Sequence, residues 1–185
     1  MNKKIWNARF AVIIGIIISG AFMRLIPHWP NFTPIAAIAL FGGAYLGRKY
    51  LAFAIPIAAM LVSDFLIGFH DSMLAVYAAF AVTVGIGLLL RKRMNAYTIV
   101  GASLTSSVIF FLITNFAAWL SSPHLYPANF AGLMQSYTAG LIFFNDGSYG
   151  ISFFMNEILG GLFYNSLFFG AFYLAQQRFP ALSRA

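Results

Sequence analysis

Cysteine is absent from this chain, which removes disulfides, thiolate metal sites and cysteine nucleophiles together. Acidic residues are scarce: four Asp and Glu stand against eleven Lys and Arg, and charged residues make up only 8% of the sequence. A soluble domain carries roughly a quarter, so the composition is that of an integral membrane protein. The phosphate loop G-x-x-x-x-G-K-S/T is missing, and with it ATP hydrolysis by that route. The H-E-x-x-H and G-x-S-x-G motifs are missing as well, which leaves metalloprotease and serine-hydrolase chemistry without parts.

What is present is apolar: 61% of 185 residues are hydrophobic, and the mean hydropathy is +0.83. The length suits one membrane domain over 1–185 and no soluble one. A net charge of +7 with a pI near 9.9 would suggest nucleic acid in a soluble protein. Here the cations fall in short clusters between apolar runs, which is a topology pattern, and no nucleic-acid partner is expected.

The chain reads as six apolar segments. The first, 10–23, follows Lys3, Lys4, Trp6 and Arg9. It resembles a cleavable signal peptide in length, but five further hydrophobic segments favour an uncleaved span. Its Ala11, Gly15 and Ser19 recur every fourth position, which suits close packing within the bundle or docking onto a partner's helices. The second, 33–47, is short against the roughly 20 residues a span needs, and its Ala39, Gly43 and Gly47 form a second ladder of small residues. The third, 51–69, holds Pro56, where a kink is expected, and Ser63-Asp64. The fourth is 72–90, the fifth 97–120, and the sixth 151–177. Between the last two, Phe130, Met134, Tyr137 and Leu141 recur at helical spacing and predict a short amphipathic helix at the interface or folded over the bundle. Asn145-Asp146-Gly147 beyond it is a turn signal.

Six spans put ten of the eleven Lys and Arg on one side and Arg24 alone on the other. Both termini are therefore expected in the cytoplasm of a bacterium, with the amphipathic helix outside. All four acidic residues and the three histidines, His28, His70 and His124, then belong to the outer half. Asp64 is expected roughly 9 Å below the outer end of its segment from a rise of 1.5 Å per residue, with Asn115 at a similar depth. Asn156 and Glu157 fall in the first outer turns of the sixth segment, and the turn after Arg24 adds His28, Trp29 and Asn31.

An isolated carboxylate in hydrocarbon is costly, so these groups should face inward or pair. A polar cavity open to the outside and sealed below by apolar packing suits capture of a small solute, with Trp29, Trp119 and Tyr137 able to stack on a ring. Two other readings stand beside it. Arg24 and Asp64 pair merely to pin helices in a structural or assembly protein, or Asp64 and Glu157 act as the acid/base pair of a membrane enzyme. No metal or cofactor is expected.

The residues also carry a resemblance. Asn31-Phe32-Thr33-Pro34, then Ala39-Leu40-Phe41-Gly42-Gly43-Ala44-Tyr45, Ser63-Asp64-Phe65-x-x-Gly68-Phe69-His70 and Thr114-Asn115-Phe116-Ala117-x-Trp119 resemble a family of small six-span bacterial membrane proteins of uncharacterised function. That family is similar to the substrate-binding S-components of energy-coupling-factor vitamin transporters. The resemblance implies an all-α six-helix bundle in the cytoplasmic membrane that captures a vitamin-like solute from outside. It also implies a partner module of one scaffold subunit and two ATPases, docked at Ala11, Gly15 and Ser19. Cobalamin is one candidate solute, since His28, His70 or His124 would suit cobalt. The stretch 144–155 is longer than that family's pattern.

Overall fold

A computed structural model describes residues 7–69, 72–142 and 152–183. Seven α-helices follow in chain order: α1 (Ala8–Met23), α2 (Ile35–Tyr45), α3 (Lys49–Ile67), α4 (Met73–Leu90), α5 (Ala96–Ser121), α6 (Phe130–Ile142) and α7 (Phe153–Arg178). A 3-10 turn, Pro180–Leu182, closes the described chain, and no strand occurs among the described residues. Helices α3, α4, α5 and α7 are long and apolar enough to cross a membrane. Expected segment ends shift by one or two residues, because caps such as Asn95 and Ser152 decide where each helix starts. The chain is a multi-pass membrane protein.

Helix α2 is the axis of the bundle. Its 11 residues span only about 16 Å at 1.5 Å per residue, half the hydrocarbon thickness. Every residue from Ile35 to Ala44 is buried, with α3, α4, α5, α7 and α1 all in contact. A helix that is apolar all round is stable only when enclosed, and this one is enclosed by its own chain.

The small-residue ladder explains the closest of those contacts. A Cβ on Gly43 would meet the Gly87 Cα at 2.8 Å, and the reverse substitution meets the same limit. Backbone therefore lies on backbone where α2 crosses α4, which only glycine permits. Ala39 shares the buried face, whereas Gly47 lies beyond the helix end, where a Cβ would meet nothing within 4 Å. The ladder has two working rungs rather than three. On the other side of α2, Phe41 sits among Phe168, Phe169 and Phe172 at centroid distances of 6.2, 5.3 and 5.8 Å, all edge-on.

A helix ending inside the bundle exposes its last carbonyls. Arg91, at the end of α4, answers them. Its Nε donates to Gly43 O at 2.8 Å, Nη1 to Gly47 O at 3.1 Å, and Nη2 to Leu46 O. A cation at a helix C-terminus also complements the dipole. Pro56 lies inside an uninterrupted α3, where its ring packs on Gly42.

Helix α6 forms where the periodicity predicts a helix, but it packs on a different face. Gly132, Ser136 and Gly140 are buried, while Phe130, Met134 and Leu141 are exposed. The reason is contact distance: a Cβ on Gly140 would meet Asn115 Oδ1 at 2.7 Å, so only small residues let α6 lie this close to α5. Phe130, Met134 and Leu141 are left facing away from the bundle, while Tyr137 of the same stripe turns to α5.

Candidate functional site

Arg24 caps the C-terminus of α1, and its side chain reaches across to α3. Nη2 donates to Asp64 Oδ1 at 2.6 Å, and Nη1 to Ser63 Oγ and to Met60 O at 3.4 Å. Tyr77 of α4 completes the group by donating its hydroxyl to Asp64 Oδ2 at 2.6 Å. The Arg24 and Asp64 side chains are 7% and 2% exposed. The pairing joins three helices, and each member neutralises a charge that would otherwise be stranded in a low-dielectric interior.

Beside this group lies a cavity of about 390 Å³. Arg24, Asn31, Thr33, Ser72, Thr114, Asn115 and Glu157 give its polar lining, and Ile35, Val76, Phe110 and Phe153 its apolar walls. Asn31 is held there by the turn between α1 and α2, where it adopts a left-handed backbone with φ of 63°, a conformation asparagine tolerates better than most residues. Asn156 braces that turn by donating from Nδ2 to Pro30 O at 3.0 Å. Gly160 lets α7 come against it, since a Cβ there would meet the Phe32 Cα at 3.0 Å. Asn115 spends its Nδ2 on Phe111 O at 2.9 Å, and its main-chain carbonyl accepts from Ser136 Oγ at 2.8 Å. Glu157 is 4% exposed, and no cation pairs with it among the described residues.

The predicted site residues thus separate into groups. Arg24, Asn31, Asn115 and Glu157 line one cavity, drawn together from positions far apart in sequence. Asp64 stands behind the wall and holds Arg24. Asn156 acts on the turn rather than on the cavity. The aromatics lie elsewhere: Trp29 is 51% exposed and edge-on to Phe32 at 5.9 Å. Trp119 donates to Pro127 O at 2.9 Å, and Tyr137 donates to Leu112 O at 3.1 Å. The last two fasten the α5–α6 connection and do not line the cavity. His28 is exposed, with Nδ1 3.1 Å from Trp29 O. His70 lies outside the described residues, as do Asp146 and most of the 144–155 stretch. Among the described residues no cluster of three or more His, Asp or Glu could hold a metal.

Tyr77, Thr33, Ser72 and Thr114 escape the reading from sequence. Thr33 and Thr114 sit beside Asn31 and Asn115 in the conspicuous motifs, which is a usable signal. Tyr77 reaches Asp64 across a helix boundary and has no local mark.

The small ladder on α1 is exposed along its length: Ala11, Gly15 and Ser19 all face away from the bundle, and a Cβ on Gly15 would meet nothing within 4 Å. The buried face of α1 is instead Ile13, Ile17, Gly20 and Ala21.

No curated protein and no solved structure matches the chain. A family model matches residues 4–182, nearly the whole length. The chain belongs to that family, described as a family of unknown function, DUF6580.

Proposed function

We propose that this chain is the solute-capture subunit of a vitamin or micronutrient uptake system, similar to the S-components of energy-coupling-factor transporters. In this reading it crosses a bacterial cytoplasmic membrane six times, with both termini inside and α6 in an outer loop. Helices α1 and α2 count as crossings because only then do the cations fall on one side. The observation that carries the reading is the cavity itself. Four of the expected polar site residues, Arg24, Asn31, Asn115 and Glu157, converge on one space of about 390 Å³, within the range of small-molecule sites.

The apolar interior beneath supports capture rather than conduction. The cavity's floor at Ile35 is the start of α2, and the next nine residues of that helix are all buried. A solute has a place to rest and no polar path onward, so release inside requires the bundle to move against a partner. The exposed ladder Ala11, Gly15 and Ser19 is a fitting surface for a scaffold subunit that works with two ATPases. The chain is then not an enzyme. Among the described residues Glu157 is the only carboxyl group in the cavity lining, which weakens an acid/base pair with Asp64.

The electrostatics favour a neutral or cationic solute. Arg24 is matched by Asp64, while no cation among the described residues answers the Glu157 carboxyl, which leaves that group for a cationic or neutral solute. The test is a thermal-shift screen of the purified protein against neutral and cationic ring-bearing solutes. A hit raises the unfolding temperature of the parent protein, and Asn115→Ala removes the rise. If no solute moves the parent, or if the variant responds equally, the cavity is not a capture site.

A structural reading keeps one specific observation. The Arg24–Asp64–Tyr77 group ties α1, α3 and α4 together, with Asp64 away from the cavity lining. It explains Asp64 and leaves Glu157 without a role.

A further inference from the structure

Several groups that line the cavity beside Arg24 give their protons to the protein itself. The hydroxyl of Thr114 donates its one proton to Phe110 O at 2.9 Å, so toward a solute it can only accept. The Nδ2 of Asn115 donates to Phe111 O at 2.9 Å. An amide oxygen in that place would oppose a carbonyl oxygen, so the orientation is fixed and Oδ1 is the end left over. Asn31 repeats the arrangement more loosely, with Nδ2 3.5 Å from Phe153 O. The Arg24 guanidinium is turned to Asp64, Ser63 and Met60 O.

What remains for a solute is mostly oxygen. Thr114 Oγ1, the amide oxygens of Asn115 and Asn31, and the Glu157 carboxyl belong to residues of one lining. No cation pairs with Glu157 among the described residues. Thr33 and Ser72 contribute hydroxyls, which serve either role. A solute bringing only acceptors would set oxygen against oxygen and lose its hydration without replacement. One bringing several N–H groups satisfies these oxygens, and a positive charge on those groups strengthens each bond. Ile35, Val76, Phe110 and Phe153 supply apolar surface for a ring. Charge alone is not the criterion, because a quaternary cation has no proton to give.

We propose that this cavity selects solutes by their N–H groups and takes a ring-bearing amidine or primary ammonium, rejecting quaternary cations and carboxylates. The selection rests on the capture reading proposed above and names the kind of solute within it. A site built to hydrogen-bond a solute's N–H discriminates strongly against an analogue that lacks it.

The test titrates the full chain in a neutral detergent with benzamidinium, tetramethylbenzamidinium or benzoate, read by isothermal titration calorimetry. Benzamidinium is expected to bind about tenfold more tightly than its tetramethyl analogue, which has the same charge and no N–H, and benzoate least of all. Thr114→Val keeps the branched shape and removes an oxygen that can only accept. It should weaken benzamidinium binding about fivefold and leave tetramethylbenzamidinium unchanged, whereas a purely structural role would move both cations alike. Asn115→Ala should act in the same direction. Equal binding of the two cations in the parent would mean that charge alone selects, which overturns the proposal and leaves capture standing. So does a preference for benzoate. Undiminished benzamidinium affinity in both variants also overturns it, since probe size would then explain the difference. If no probe binds while a donor-poor solute raises the unfolding temperature, the selection is wrong and capture stands; if nothing binds in either experiment, both fall.

Discussion

At one end of this bundle, Arg24 meets a carboxylate at 2.6 Å; at the other, Arg91 meets three carbonyls at and just beyond the C-terminus of the central helix. Both guanidiniums are partly buried, yet they solve different problems. Arg24 and Asp64 cancel each other's charge, so the neighbouring cavity takes its character from Glu157 and the neutral groups around it. Arg91 caps the C-terminus of α2, where its charge complements the helix dipole. One short helix, α2, runs from the lining of the cavity beside Arg24 to the cap that Arg91 makes. The lesson is that a cation's field depends on whether its partner is a charge or a dipole.

The largest effect should come from breaking the charged pair. Arg24→Ala leaves Asp64 buried and unmatched and is expected to cost about 3–5 kcal/mol, read by denaturant unfolding in detergent. Adding Asp64→Asn to that variant should recover much of the loss. A single variant as stable as the parent would remove the pair from the account. Arg91→Ala should cost somewhat less, about 2–3 kcal/mol, because it orphans carbonyls rather than a charge. Here the pattern of amide exchange is the sharper readout. Protection should fall first at the C-terminal turn of α2, and uniform loss across the bundle would contradict a local capping role.

Glu157→Gln keeps shape and removes a carboxyl that could ionise to meet a cationic solute. It should leave the unfolding midpoint unchanged or raised while lowering affinity for a cationic solute about tenfold, near 1.4 kcal/mol. Unaltered affinity would place the solute elsewhere. Smallest of all, Gly15→Leu on the exposed ladder should change stability by no more than about 0.5 kcal/mol. In a pull-down from the native host membrane, the same variant should lose a scaffold subunit that the parent retains. Equal recovery would show that the ladder faces only lipid.

Much of this arrangement is legible in the sequence because membranes punish polar groups. Arg24, Asn31, Asn115 and Glu157 are conspicuous in apolar surroundings, and span polarity fixes the end at which they meet. The helices follow from apolar runs ended by caps, prolines and cations. What stayed hidden depends on three-dimensional contact. The packed face of α6 is Gly132, Ser136 and Gly140 rather than its apolar stripe, since apolar side chains can face lipid as readily as protein. Asp64 has the chemistry of a ligand anchor, but Tyr77 and Arg24 take both its oxygens. Trp119 and Tyr137 look like stacking partners in composition, yet each is engaged by a carbonyl of the α5–α6 region.

Whether the Arg24 end captures a small solute can be read by native mass spectrometry of the protein purified gently from its own host. The account predicts a bound small-molecule mass in the parent protein that Glu157→Gln or Asn115→Ala reduces, with ATPase-sized subunits copurifying. A bare polypeptide in every preparation, with no solute and no partner, would contradict it and return the polar cluster to a purely structural role.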